Sequence, residues 1–210
     1  MSKRKRIVYG VLIATILALT VGAQIAGRND RQLKAGDAFP ATHIKNIHGA
    51  EVVIPDAGAR WVHLQFRRFA GCPICNLHLH SFVTRYPELE AAGIHEVVVF
   101  HSPDSSLLPF QGSFPFDVIG DADKHLYRQF GVESSIYSIL NPAAWPAMWE
   151  GHSLKEKPTG DPEGGPLGLP ADLLISPDGR VMASHYGKHA YDQWSVDELI
   201  ALTKTARTTS

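Results

Sequence analysis

The stretch Trp61-Val62-His63-Leu64-Gln65-Phe66-Arg67-Arg68-Phe69-Ala70-Gly71-Cys72-Pro73-Ile74-Cys75 decides how this chain folds. Val62, Leu64 and Phe66 alternate as a strand with one apolar face requires, and Arg67 to Gly71 carry the chain over to a helix. Cys72 falls at the N-cap of that helix. Pro73 takes its first position, where the missing N–H would have had no intrahelical partner. The unpaired N–H groups of the first turn and the positive end of the helix dipole then point at the Cys72 sulfur, and Arg67 or Arg68 adds a full positive charge. All of these favour thiolate over thiol. A cysteine at its ordinary pKa of about 8.5 is only about 3% ionised at pH 7, whereas one lowered to about 7 is half ionised. Cys75, the more shielded of the two, lies one turn on. It is within reach to close a disulfide once Cys72 has been oxidised or has entered a mixed disulfide. The pattern assigns attack to Cys72, resolution to Cys75, and the chemistry to thiol–disulfide exchange.

Two other readings compete, because Cys72 and Cys75 are the chain's only cysteines. A purely structural disulfide would close a four-residue ring and contribute roughly 2 kcal/mol by the chain-entropy formula, less than a longer loop. Metal binding is the sharper rival, since His78 and His80 follow at once and thiolate with imidazole suits copper or zinc. At about 100° per residue His78 lies within about 60° of Cys75, but His80 is about 160° from His78, so only one of them joins easily. Haem attachment is excluded, because Asn76 stands where the histidine would be needed. No cofactor is expected.

Lys3-Arg4-Lys5-Arg6 precede an uncharged, largely apolar run from Ile7 to Ala26. As a helix this run reaches about 30 Å, enough to cross a bilayer with its basic flank on the cytoplasmic side. Val21-Gly22-Ala23 also meets the small-residue rule for signal peptidase, behind an apolar core from Ile7 to Leu19. Residues 1–27 therefore read as a signal peptide or membrane anchor, 28–33 as a linker and 34–210 as one domain. That domain is expected outside the cytoplasmic membrane, anchored to it or, if the leader is cleaved, secreted or periplasmic. There the pair needs a reducing thiol partner or acts as an oxidant. Setting aside the four leader charges takes the formal net charge from −1 to −5. With no basic stripe, nucleic acid is excluded as a partner. A hydrophobic fraction of 44% suits a single core in the remaining chain.

Residues Lys34 to Ile54 suggest a hairpin turning at Asn46-Ile47-His48-Gly49. After the cysteine helix, which Pro87 should kink and Gly93 end, Glu96 to Phe100 form a β-branched run typical of a buried parallel strand. Phe114 to Ile119 read as a short strand, and Asp121 to Phe130 as a helix ended by Gly131. Residues 137–169 are a long Pro/Gly-rich insertion. Its Trp145 and Trp149 are expected to pack on the body; a lid over the thiols and a membrane contact are the alternatives. Ala171 to Ile175 and Arg180 to Ser184 make an antiparallel hairpin around Ser176-Pro177-Asp178-Gly179. Ser195 and Glu198 form a capping box for a closing helix, with Trp194 and Leu199 as its hydrophobic staple and Leu199, Ile200 and Leu202 as its apolar side.

Three segments together resemble the alkyl hydroperoxide reductase/thiol-specific antioxidant (peroxiredoxin-like) family of the thioredoxin-fold superfamily. They are Phe66 to Cys75; Gly120-Asp121-Ala122-Asp123 through Leu126-Tyr127 to Phe130-Gly131; and Gly168-Leu169-Pro170-Ala171-Asp172 through Arg180, continuing into Ser184-His185-Tyr186-Gly187-Lys188-His189-Ala190. The resemblance spans about residues 34 to 205. It implies an α/β, thioredoxin-like fold: a central mixed sheet of four or five strands flanked by helices, here with an N-terminal hydrophobic helix and the insertion added. It also implies Pro170 as a cis-proline facing the cysteines, positioning substrate together with Arg67 and Arg68. Thiols, protein disulfides or small hydroperoxides would be the substrates. One departure matters. Peroxiredoxins carry Thr or Ser three residues before the attacking cysteine and Pro four residues before that; here those positions are Phe69 and Gln65. Peroxide reduction thus rests on the family likeness, and disulfide exchange on the residues themselves. Among the histidines, His63, His185 and His189 are expected to be structural, with His185 the one candidate proton shuttle. In copper-handling thioredoxin-fold proteins two cysteines and a distant histidine hold the ion. Cys72, Cys75 and His185 therefore define the alternative, a copper- or zinc-binding metallochaperone-like module, although the usual cysteine spacing there is CxxxC.

Overall fold

The strand that feeds the cysteines is buried along its whole length, and everything else is arranged around it. In the computed structural model, which describes residues 31–132, 134–135, 137–153 and 164–209 together with Thr15, β1 (Thr42–Lys45) and β2 (Glu51–Ile54) pair as the expected hairpin. The Asn46 side chain holds its turn by accepting from the N–H groups of His48 and Ala50. β3 (Trp61–Phe66) leads into α1 (Pro73–Thr84). The helix does not bend through Pro87. It stops at Thr84, and α2 (Tyr86–Ala91) starts afresh with Pro87 in its first turn, where a proline costs no hydrogen bond.

β4 (Ile94–Phe100), α3 (Asp104–Gln111), β5 (Asp117–Gly120) and α4 (His125–Gln129) follow. α3 is an element that the hydrophobic pattern does not announce. α4 is shorter than expected because Asp121 stands outside it as a cap, accepting from the N–H groups of His125, Leu126 and Tyr127. The described part of the insertion is helical: α5 (Tyr137–Leu140), a 3₁₀ turn at Pro142–Ala144, and α6 (Trp145–Ser153). β6 (Ala171–Ile175), β7 (Val181–Tyr186) and α7 (Val196–Thr209) complete the chain. The capping box of α7 is formed, Glu198 accepting from the Ser195 N–H at 2.7 Å and Ser195 Oγ from the Glu198 N–H at 3.3 Å. Its inner stripe is Val196, Leu199, Thr203 and Ala206, with Ile200 and Leu202 only half-buried.

The five-stranded sheet runs β5-β4-β3-β6-β7. β3, β4 and β5 are parallel, while β6 is antiparallel to both β3 and β7. This is the mixed sheet flanked by helices of a thioredoxin-like fold. One face buries Val62, Leu64 and Phe66 with Phe39, Val99 and Phe130. The other packs Trp61, Val98 and Leu174 against Ile74, Leu79 and Phe82 of α1 and Leu199 of α7. The expected single apolar face of β3 is therefore half the arrangement. His63 and Gln65 point into the second core rather than to water, because strands flank β3 on both sides and helices cover both faces.

α6 packs along α1. A Cβ on Gly151 would come within 2.6 Å of the Pro73 carbonyl oxygen, so the insertion rests directly on the start of the cysteine helix. Ala144, Ala147 and Gly151 take the inner face at helical spacing. Trp145 and Trp149 are consequently turned outward, 56% and 85% exposed, instead of packing on the body. The leader 1–27, apart from Thr15, residues 28–30 and residues 154–163 lie outside the described residues. Among the described residues no helix is long and apolar enough to cross a membrane.

Candidate active site

Cys72 is the N-cap of α1 and Pro73 begins the helix, as the sequence requires. Both cysteines are free, and their sulfurs lie 2.6 Å apart. Three donors converge on Cys72 Sγ: Arg68 Nη2 at 3.1 Å, the Cys75 N–H at 3.4 Å and the Cys75 thiol. Of the backbone N–H groups expected at the sulfur, that of Cys75 is the one that reaches it. Cys75 is not the more shielded cysteine, since Cys72 is 0% and Cys75 3% exposed.

Burial pushes both thiols up. At Cys75 the hydrogen bond between the sulfurs, the Arg68 guanidinium and the charge of Arg67 work against it; at Cys72 only Arg68 and the Cys75 N–H do, and the contact with the other sulfur adds to burial. The outcome is a split pair: Cys75 is lowered to about 6 and Cys72 is pushed well above the ordinary thiol range. With the sulfurs 2.6 Å apart the two thiols titrate together, so the easy first ionisation belongs to the pair and not to Cys72 alone. Arg68 stays charged in spite of its burial because both sulfurs face it. Its other nitrogen, Nη1, donates to the Pro166 carbonyl at 2.8 Å, which fixes the fork between the thiol and the C-terminal end of the insertion.

Arg67 turns the other way. It donates through Nη2 to Asp172 Oδ1 at 2.7 Å and to His78 Nε2 at 3.0 Å. Asp172 also lies 3.3 Å from His63 Nε2, and His63 Nδ1 lies 2.8 Å from Glu96. Burial works against a charge on His63, but the two carboxylates prevail and raise it to about 9. For His78 burial, reinforced by Arg67, pushes the ring well below its usual value and leaves it neutral. Burial alone would raise Asp172; Arg67 and His63 outweigh it and hold the carboxyl below the ordinary range.

Among the residues singled out from sequence, Cys72, Cys75 and Arg68 come together, while Arg67 reaches the pair only as a charge. Pro170 departs from expectation. The cis bond among the described residues is Ile54–Pro55, and Leu169–Pro170 is trans. A trans bond runs straight into β6, where the Pro170 carbonyl accepts from the Gly187 N–H at 2.9 Å. His185 is engaged with Asp192 at 2.8 Å. No group of three or more His, Cys, Asp or Glu side chains among the described residues is placed to hold a metal ion, so the copper or zinc alternative has no support in the geometry.

Sequence reading passed over Asp172, Glu96 and Ser102. Ser102 Oγ accepts from the Ala70 N–H at 3.0 Å and steadies the loop before Cys72. A signal existed for the first two, since each interrupts an apolar strand run with a charge, and a charge buried there needs a partner.

A family model described as AhpC/TSA antioxidant enzyme matches residues 81–189, more than half of the chain. The match begins just after the two cysteines and includes Glu96, Asp172 and His185. No curated protein is similar enough in sequence to match. Among solved structures, the peroxidoxin BcpB of Mycobacterium tuberculosis is similar at a TM-score of 0.61 and 17% identity, over 83% of this chain and 98% of its own. The reduced 2-Cys peroxiredoxin of Plasmodium vivax gives 0.61 and 12%, over 84% and 83%. A putative thiol:disulfide interchange protein DsbE of Chlorobium tepidum gives 0.55 and 19%, over 82% and 99%. These likenesses establish the fold.

Proposed function

Because the chain belongs to the AhpC/TSA antioxidant enzyme family, and is thus a peroxiredoxin-like thiol oxidoreductase, we propose that Cys72 and Cys75 form its redox centre and cycle between dithiol and disulfide. The observation that carries this reading is two free sulfurs 2.6 Å apart at a helix start, with Arg68 on one of them. The oxidant is a small hydroperoxide. Cys72, where the donors converge, attacks the O–O bond in the state in which Cys75 holds the pair's remaining proton and donates to it: an S–O bond forms, the O–O bond breaks, and the leaving alkoxide takes a proton and departs as the alcohol. Cys75 then attacks the sulfenic sulfur, the S–S bond forms and water leaves. Two thiols give two electrons and two protons in all. A thiol partner restores the pair by exchange through a mixed disulfide.

Burial favours the small oxidant. With exposures of 0% and 3% and α6 resting on Pro73, the sulfurs are open to a molecule of a few atoms before they are open to a folded disulfide protein. Arg68 supplies the positive charge that the missing Thr or Ser hydroxyl would otherwise complement, and it is the one of the two arginines that meets the reacting atoms.

The test is stoichiometric. The reduced full chain is treated with one equivalent of hydrogen peroxide and its free thiols are counted. Both are expected to disappear, while Cys75→Ser accumulates a sulfenic acid that a dimedone probe traps and Cys72→Ser does not. Retention of both thiols in the unaltered chain overturns the reading. A sulfenic acid that appears on Cys75 in Cys72→Ser, and not in the converse variant, reverses the roles. The basic Lys3 to Arg6 and the apolar run to Ala26 support placing this chemistry outside the cytoplasmic membrane, which a membrane-impermeant alkylating reagent on intact cells checks directly.

A further inference from the structure

Beneath the cysteine helix lie four buried charges that the reaction does not use. The Arg67, His63, Asp172 and Glu96 side chains are all 0% exposed and joined in a row, Arg67 to Asp172 at 2.7 Å, Asp172 to His63 at 3.3 Å and His63 to Glu96 at 2.8 Å. Charges in a dry interior are tolerated only when they balance. Two cations against two carboxylates do balance, provided that His63 carries its proton, which its two carboxylate partners favour.

The row is in contact with the redox helix. The His63 ring stacks on Phe82 of α1 at 5.6 Å. Arg67 Nη2, shared between Asp172 and His78, places the quartet against a residue one turn beyond Cys75 on the same buried face. Facing His63 are Glu96 from β4, Asp172 from β6, His78 from α1 and the Trp194 ring ahead of α7, with Arg67 following its own strand. Beyond them stand Tyr86, which feels Glu96, and the His185–Asp192 pair, next along the sheet from Asp172.

Resting on the redox reading of the cysteines, we propose that this quartet is a charge-balanced base beneath the thiol pair, with His63 as the positioning residue whose proton keeps it neutral and so sets the acidity of Cys72 and Cys75. Loss of the His63 charge leaves one net negative charge under the sulfurs, and they hold their first proton more tightly. Loss of the Glu96 charge leaves one net positive charge, and they release it sooner. A unit charge on the order of 10 Å away, at an effective dielectric of about 20, moves such a midpoint by about one pH unit.

The reduced full chain and its variants are alkylated with iodoacetamide across pH. His63→Gln is expected to raise the midpoint by about one unit, Glu96→Gln to lower it by about as much, and the double variant to return toward the unaltered chain. Opposite signs with mutual rescue mark an electrostatic role. Shifts of one sign in both single variants, or none, overturn the proposal. Should His63→Gln fail to fold, the unaltered chain carries the test, because coupling between sites is reciprocal. The His63 ring, followed by NMR, is expected to titrate at higher pH in the reduced protein than in the disulfide form, and equal values overturn the proposal. A chain that forms no disulfide with peroxide instead removes the redox reading, and the alkylation profiles still decide the electrostatics.

Discussion

Arg67 and Arg68 are chemically identical neighbours with opposite tasks. Successive side chains leave an extended backbone on opposite sides. Arg67 therefore goes down into the core under α1, to Asp172 and His78, and Arg68 goes across to the Cys72 sulfur and the Pro166 carbonyl. Both are nearly inaccessible, at 1% and 5% exposure. Burial thus does not separate a structural cation from a reactive one. The partner does. Arg67 answers a carboxylate that is always present, whereas Arg68 answers a sulfur that becomes an anion only when the pair ionises.

The largest expected effect comes from breaking the first half of this comparison. Arg67→Met leaves the Asp172 carboxylate buried with its main cation gone, and removing one partner of such a pair costs about 3 kcal/mol or more. Urea denaturation is expected to show that loss. A variant as stable as the parent would mean that Asp172 is held by His63 alone. The same half can be probed without mutation. The His63 pKa is raised from its ordinary 6.5 to about 9, so its stabilisation is fully present below about 6.5 and lost as pH rises through about 9. The shift corresponds to about 3 kcal/mol at most. Unfolding followed from pH 6 to 10 is expected to show stability falling across the upper part of that range; a flat profile would mean that His63 is neutral in the folded protein.

The second half of the comparison predicts a change in reactivity with little change in stability. Arg68→Met removes the full positive charge at Cys72, where burial is then opposed by the Cys75 N–H, and leaves Cys75 with the sulfur–sulfur hydrogen bond and the more distant charge of Arg67. An opposite charge at hydrogen-bonding distance is worth about 1–3 pKa units, so with the first ionisation at about 6 alkylation at pH 7 is expected to slow by about twofold to a hundredfold. The Pro166 carbonyl belongs to an exposed residue and turns to water, which keeps the stability cost small. A large drop in melting temperature with unchanged alkylation would exchange the roles assigned to the two arginines.

Much of this is legible in the sequence. Cys72 and Pro73 announce the helix start, Ser195 and Glu198 announce α7, and Gly-turn hairpins mark β1–β2 and β6–β7, because each depends on residues close in sequence. What stayed hidden depends on residues far apart. Which arginine meets the thiol is settled by Pro166, 98 positions away; where the other goes is settled by Asp172, 105 positions away. Trp149 misled for a related reason. Its size suggests an anchor, but the close approach of Gly151 to Pro73 gives the inner face of α6 to small residues. The cis bond that the family likeness implies at Pro170 gives way to a trans bond that leads straight into β6.

Arg68→Lys is the finest test of the comparison, since it keeps the charge and removes the fork. The guanidinium serves Pro166 through Nη1 and Cys72 through Nη2 at once, so the backbone carbonyl sets the angle at which charge meets sulfur. A lysine ammonium has the charge but is shorter and unforked, and it must choose between the two acceptors. If charge alone matters, the alkylation midpoint stays where Arg68 puts it. If the fork matters, the midpoint moves upward by a fraction of the Arg68→Met shift, about half a unit, because a charge farther from the sulfur stabilises the anion less. The same substitution at Arg67 offers the control. There the lysine is expected to leave the thiol midpoint almost in place and to lower stability instead, since what it loses is the simultaneous hold on Asp172 and His78.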